Sequence, residues 1–168
     1  TMPNTELNNI NKTKLASFTV GAVNFTQMQT MLPQRFRLRP NGHFPTLEEN
    51  KSIVLGYKTS IRNETVLADL SDNVTLVITD TRGNPIYSET FQVAGILEKG
   101  GTSGITNFDY WAFIPINTAI RMLHEENYQI ILVQVPDPKY SKRSKASSNN
   151  IPSQSLTLHH LYIKLTIF

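Results

Sequence analysis

Two segments in the middle of the chain alternate apolar and polar residues with the period of a β-strand. They run from Asn73 to Thr79 (NVTLVIT) and from Ile86 to Leu97 (IYSETFQVAGIL). Between them, Asp80 to Pro85 (DTRGNP) is rich in Asp, Gly, Asn and Pro, which favour turns. The pattern therefore predicts a β-hairpin.

Other apolar stretches predict further strands. They are Lys14–Val23, Ser52–Leu55, Tyr128–Val135 and Leu156–Phe168. Tyr128–Val135 (YQIILVQV) has too many apolar residues for a solvated face, so we expect it to be central in a sheet. Arg35–Pro45 alternates arginines with Phe36 and Leu38 before a turn, which predicts a half-buried edge strand with Arg35, Arg37 and Arg39 on one face.

Capping signals predict short helices. Asn24 begins NFTQMQTML, and Gln27 three residues later completes a capping box. Thr46 to Glu49 has the same spacing and predicts one helical turn, followed by a brief helical or loop stretch after Gly56. Asn117 is expected to cap a helix that reaches about Glu126, with an apolar stripe of Ile116, Ala119, Ile120 and Leu123.

Together these elements predict an α+β fold with a mixed, mostly antiparallel sheet and two or three short helices. The polar residues 1–13 are expected to be a flexible lead-in, and residues 14–138 form the core domain. Residues 139–155 change abruptly to Lys, Ser, Asn and Arg, which predicts a polar linker or disorder. Residues 156–168 then return as a possible terminal strand.

Composition narrows the classes of function. The net charge of +3 and 17% charged residues do not favour nucleic-acid binding. There are no cysteines, which excludes disulfides and thiol catalysis. No apolar run reaches the roughly 18 residues of a membrane helix, and no signal peptide is visible. Five Asn-x-Ser/Thr sequons, at Asn11, Asn24, Asn50, Asn63 and Asn73, permit N-glycosylation on an exterior surface.

No residue pattern in the chain points to bond chemistry. The four histidines lack the spacing of converging metal ligands, because the adjacent His159 and His160 would point to opposite faces of a strand. The run Gly100–Gly104 (GGTSG) has neither the Lys-Ser/Thr of a phosphate-binding loop nor the serine setting of a hydrolase. The sequence therefore predicts no catalytic residue, no metal and no cofactor.

Two groups of residues are candidates for partner contact. Phe108, Tyr110 and Trp111 precede a predicted short strand, and alternation would place Phe108 and Tyr110 on one face and Trp111 and Phe113 on the other. Arg35 and Arg37 could contact an anionic partner or simply face water. The basic residues between Lys139 and Lys145 could touch lipid headgroups or be a solvated tail.

The order of motifs in residues 14–138 resembles the MacB-like periplasmic domain of MacB/FtsX-type ABC transporter permeases. The matching pieces are VAGIL at 93–97, the glycine-rich loop at 100–104, FIP at 113–115 and TA at 118–119. Ser71-Asp72 stands where the family usually has Gly-Asp, and no amphipathic helix follows Asp137-Pro138. Both are departures from the family pattern.

The resemblance implies a non-catalytic domain on the extracytoplasmic side of the cell membrane. It would relay ATP-driven motion and contact the transported substrate or accessory proteins, as in efflux. Its partners would be the permease's membrane helices, a separate cytoplasmic ATPase, an accessory lipoprotein or membrane-fusion protein, and a second copy in a homodimer. The alternative is a secreted or surface adhesion or ligand-binding β-rich domain unrelated to transport.

Overall fold

The computed structural model describes residues 4–11, 13–15, 19–80, 82–100, 107–123, 130–133 and 160–166. The helices are α1 (Phe25–Met31), α2 (Tyr57–Ser60), the 3-10 turn η1 (Phe108–Tyr110) and α3 (Ile116–Leu123). The strands are β1 (Asn4–Asn9), β2 (Thr19–Val23), β3 (Ser52–Leu55), β4 (Ile61–Arg62), β5 (Thr65–Val66), β6 (Asn73–Thr79), β7 (Pro85–Ile96), β8 (Trp111–Pro115), β9 (Ile130–Val133) and β10 (His160–Thr166).

Eight of these strands form one mixed sheet in the order β1-β6-β7-β3-β8-β2-β10-β9. The β3–β7 and β2–β8 pairs are parallel, and the other neighbours are antiparallel. Strands β4 and β5 form a separate two-stranded hairpin. The predicted α+β class is confirmed.

The predicted hairpin is confirmed as β6 and β7, which pair from Asn73↔Gln92 to Thr79↔Pro85. Its turn is held by the Asp80 carboxylate, which accepts hydrogen bonds from the backbone N–H groups of Arg82 and Asn84, each at 2.8 Å. Gly83 sits there at φ 86°, a backbone conformation that glycine adopts without strain. Turn and alternation thus act together, as the sequence indicated.

The centre of the sheet is covered on both faces. Ile53 and Leu55 of β3 belong to a first core that includes Ala119 and Met122 of α3, whereas Val54 belongs to a second core with Phe25 and other residues. The remaining members of the second core are Val23, Met28, Phe36, Leu97 and Phe113. Because its side chains enter both cores, β3 reads in sequence as a continuous apolar run.

Helices α1 and α3 form where the capping residues predict them, but the first residue of α3 differs from the prediction. The Asn24 carboxamide accepts a hydrogen bond from the Gln27 N–H at 3.2 Å, which confirms the predicted cap of α1. Helix α3 begins at Ile116, one residue before its predicted cap Asn117, a difference within the usual uncertainty of helix ends. Met122, which the predicted stripe omitted, is buried with Ala119.

Several expectations for the polar and terminal segments were wrong. Asn4–Asn9, in the lead-in expected to be flexible, is a strand that pairs with β6. Among the described strands, β9, which was predicted as central, lies at the end of the sheet order and pairs with β10. Residues 46–49 form a turn instead of a helical turn, although the Glu49 carboxylate does accept the Thr46 N–H at 2.7 Å. The predicted linker at 139–155 lies outside the described residues.

Strand β10 confirms a strand within the predicted range 156–168 and lies between β2 and β9. Deleting Leu156–Phe168 is therefore expected to lower the melting temperature by several degrees, at about 2–4 °C for each kcal/mol lost in a chain of this size. Thermal unfolding measured by circular dichroism checks this. A chain ending at Thr166 keeps all of β10 and is the matched control. Equal melting temperatures for the two truncations would show that β10 contributes nothing to stability.

Candidate partner-binding surface

The candidate surface is built where α2 meets η1. The Gly56 N–H donates to the Trp111 carbonyl at 2.7 Å, and the Thr59 hydroxyl donates to the same carbonyl at 3.1 Å. A Cβ on Gly56 would lie 2.2 Å from the Phe108 carbonyl oxygen, closer than real contacts allow. Only glycine at this position lets the two segments approach, and this approach sets the position of the predicted aromatic residues.

The aromatic residues are arranged differently from the predicted alternation. Phe108 and Tyr110 lie in η1 instead of a strand, so Phe108 turns towards the side of Trp111 and Phe113. Its ring centroid is 5.3 Å from that of Trp111 and 5.5 Å from that of Phe113, both edge-to-face. Phe108 and Trp111 remain half-buried at the border of the second core, and we call this pair the aromatic rim. The expected separation of Phe108 from Trp111 was wrong.

Tyr110 belongs to a second feature that sequence reasoning missed. The Lys58 ammonium lies 5.7 Å from the centroid of the Tyr110 ring, and the Lys99 ammonium lies 6.0 Å from that of Tyr57. Both lysines are exposed, and within the described residues neither pairs with a carboxylate. We call these four residues the Lys–Tyr surface. No local signal could reveal it, because its members come from three separate parts of the chain.

A buried carboxylate holds the two ends of this surface together. Asp109 is 4% exposed, and its Oδ1 accepts the Gly100 N–H at 2.9 Å. The Asp109 N–H in turn donates to the Asn107 carboxamide oxygen at 3.1 Å. These bonds tie the end of the β7 segment to the start of η1, on either side of residues 101–106, which lie outside the described residues.

The two arginines predicted for partner contact do not share a strand face. Arg35 lies in a turn after α1 and is half-buried. Arg37 is exposed and its Nε is 3.4 Å from Glu98 Oε2. Among the described residues, this stretch forms one isolated bridge, between Leu38 and Leu97, and three backbone hydrogen bonds join residues 37–43 to residues 94–98. It therefore lies alongside the end of β7 without forming the continuous edge strand that was expected. The Glu98 N–H donates to the Arg37 carbonyl at 2.8 Å, which brings the Arg37 backbone next to the residue that precedes Lys99.

The segment after these arginines is held by an exposed contact between His43 and Glu49. His43 Nε2 lies 2.9 Å from Glu49 Oε1. The hydrogen bond from the Thr46 N–H, followed by the contact with His43, lowers the pKa of Glu49 below its ordinary value. The ionised carboxylate therefore stabilises the fold of this segment.

The described residues include an open groove but no cluster of metal ligands. No three His, Cys, Asp or Glu side chains are close enough there to hold a metal ion. An open groove of about 660 Å³ crosses β1, β6 and β7, lined by Asn and Thr side chains with Ile10, Val77 and Glu6. Its one carboxylate, that of Glu6, pairs with Lys14.

Gly56→Ala tests the close approach of α2 and η1. We expect it to destabilise the chain by about 2 kcal/mol or more, because backbone must move to admit the methyl group. Chemical denaturation measures the loss. Gly100→Ala is the control, since among the described residues its Cβ would meet one atom, Asp109 Oδ1, at 3.3 Å. If the two variants were equally stable, the close approach would not constrain the junction.

Glu49→Gln tests the lowered pKa. A depressed carboxylate pKa contributes stability above the unfolded value of about 4.5, and that contribution disappears as pH falls through the folded pKa. We therefore expect the wild-type chain to exceed the variant in melting temperature near pH 6 and the difference to shrink below about pH 4. Glu48→Gln, on an exposed neighbour, controls for the loss of charge. A difference independent of pH would contradict the assignment.

No helix among the described residues has both the length and the apolar character needed to cross a membrane. Comparison with known proteins finds no protein-family model that matches the chain and no significant match among curated proteins.

Proposed function

We propose that the chain is a non-catalytic extracytoplasmic domain of an ABC transporter permease of the MacB/FtsX type. It relays ATP-driven conformational change from the membrane helices and a separate cytoplasmic ATPase. It contacts the substrate or an accessory transport protein through the aromatic rim and the Lys–Tyr surface. The proposal starts from the resemblance of residues 14–138, and the pairing of β7 and β8 with β3 supports it.

The observation that carries the proposal is that two of the four resembling pieces pair with one central strand, β3, whereas most of the glycine-rich piece lies outside the described residues. The VAGIL segment of β7 pairs in parallel with β3, and FIP in β8 pairs antiparallel with the same strand. The TA pair lies in α3, and Ala119 and Met122 of that helix enter the first core. On this proposal, the packed elements around β3 would transmit displacement by moving together as one body.

The surface at the end of this unit has the chemistry of a protein contact. Tyr and Trp are enriched at the energetic centres of interfaces, since they bury a large area with little loss of side-chain freedom. Stacking of Lys58 and Lys99 on tyrosine rings orders the lysine side chains before a partner arrives. Their charges favour a partner with acidic groups.

The first test concerns the gene. On this proposal it encodes an apolar segment of about 20 residues directly before Thr1 and about three such segments after Phe168. Hydrophilic flanks on both sides would rule out the permease and leave the adhesion or ligand-binding domain as the alternative.

The second test changes the Lys–Tyr surface in the assembled transporter. Lys58→Glu with Lys99→Glu is expected to weaken the apparent affinity for the accessory protein about tenfold, measured as stimulation of ATPase activity in proteoliposomes. Lys51→Glu with Arg82→Glu makes the same change of charge at exposed positions outside the surface. Equal stimulation of both double variants would exclude the Lys–Tyr surface as the contact.

A further inference from the structure

The five Asn-x-Ser/Thr sequons have no part in the proposed partner contact. Those that are fully described differ clearly in how much of the tripeptide is exposed. The sequon at Asn11 includes Lys12, which lies outside the described residues. Of the four sequons that are fully described, only the one at Asn63 has all three of its residues exposed. Exposure of the whole tripeptide matters because a modifying enzyme has to bind all three residues and not the asparagine alone.

Asn63 occupies the tip of the β4–β5 hairpin. Asn63 and Glu64 have φ values of 47° and 66°, which is the combination of a two-residue type I′ turn. The hairpin pairs only Ile61 with Val66 and Arg62 with Thr65, outside the large sheet. Neither the Asn63 carboxamide nor the Thr65 hydroxyl has a hydrogen-bond partner among the described residues, so both are available to another molecule.

The other described sequons are committed to the fold. The Asn24 side chain caps α1, and Phe25 beside it is 3% exposed. The sequon at Asn73 begins β6, where Val74 is 0% exposed and the Thr75 hydroxyl is 3.2 Å from that of Thr90.

The sequon at Asn50 is held between β3 and α3. The Asn50 carbonyl accepts the hydroxyl of Thr118, which is 0% exposed, at 2.8 Å. Ser52, the third residue of this sequon, already belongs to β3. An enzyme could therefore use the sequons at Asn24, Asn50 and Asn73 only after local unfolding.

We propose that Asn63 is an acceptor site for an N-linked glycan. In the transfer, Asn63 Nδ2 forms a bond to the anomeric carbon of a lipid-linked oligosaccharide. The bond from that carbon to the lipid phosphate breaks, the lipid phosphate leaves, and the amide loses one proton. No oxidation or reduction is involved. The co-reactants are the lipid-linked oligosaccharide and an oligosaccharyltransferase. In the cell the inference rests on the proposed function, since an extracytoplasmic position brings the hairpin to that enzyme.

The test uses the folded chain with Asn11→Gln, purified from a host without N-glycosylation. It is incubated with an oligosaccharyltransferase and a lipid-linked oligosaccharide, and peptide mass spectrometry measures occupancy at each sequon. We expect glycan at Asn63. Occupancy at Asn24, Asn50 and Asn73 should be at least about tenfold lower, because those sequons react only from locally opened states. Proteolytic peptides of the same chain show that the enzyme accepts each sequence.

Two matched variants define the site. Thr65→Ala is expected to abolish modification of Asn63, and Thr65→Ser to retain it, because the transfer requires a hydroxyl at the third position. An unmodified Asn63 in the folded chain, with its peptide accepted, would overturn the inference, and so would equal occupancy at all four sequons. This assay needs neither membrane nor transporter. Its failure is therefore distinct from hydrophilic gene flanks, which would refute the permease and leave the acceptor result standing.

Discussion

The double-sided burial of β3 is the constraint on which the rest of the fold depends. Ile53, Val54 and Leu55 are each 0% exposed, although they point alternately into two different cores. Both neighbours of β3 come from later parts of the chain, one parallel and one antiparallel. No short connection can make a parallel pair, and so the chain runs through α2, the β4–β5 hairpin and β6 before β7 returns to β3. The positions of the elements between β3 and β8 in the chain therefore depend on the pairing of β7 with β3.

The candidate surface inherits its order from the same strand. The chain leaves β3 at Gly56, and the absence of a side chain there lets η1 contact the start of α2. Tyr57 and Lys58 follow at once, so the sheet itself fixes their position relative to Tyr110. The buried Asp109 carboxylate, which accepts the Gly100 N–H, connects η1 to the residue that follows Lys99. On the proposed function, a surface held in this way would lose little conformational entropy when a partner binds, which would leave more of the contact energy for affinity.

Local sequence signals predicted those elements whose structure is determined by residues close together in the sequence. Alternation and turn residues were sufficient for β6 and β7, and a side-chain cap was sufficient for α1. They failed for β1, where Leu7 is one inward apolar residue among Asn, Thr and Glu, and the pairing with β6 supplies the order. They also failed for β9, because an apolar run does not indicate where in the sheet order a strand lies. The Lys–Tyr surface depends on contacts between distant segments, and no spacing in the sequence records them.

The two proposals concern neighbouring segments of the chain, α2 and the β4–β5 hairpin that follows it. Lys58 belongs to the Lys–Tyr surface, and Asn63 lies only five residues later, at the hairpin tip. Even a fully extended chain spans about 18 Å over that distance, and the helical turn shortens it. A glycan on Asn63 would therefore lie at the border of the Lys–Tyr surface. A partner could bind there only from the side that leaves the hairpin free. The glycosylated hairpin would in this way limit the directions from which a partner can approach, without contacting the partner itself. Specificity would then come from excluding other partners as well as from attracting the correct one.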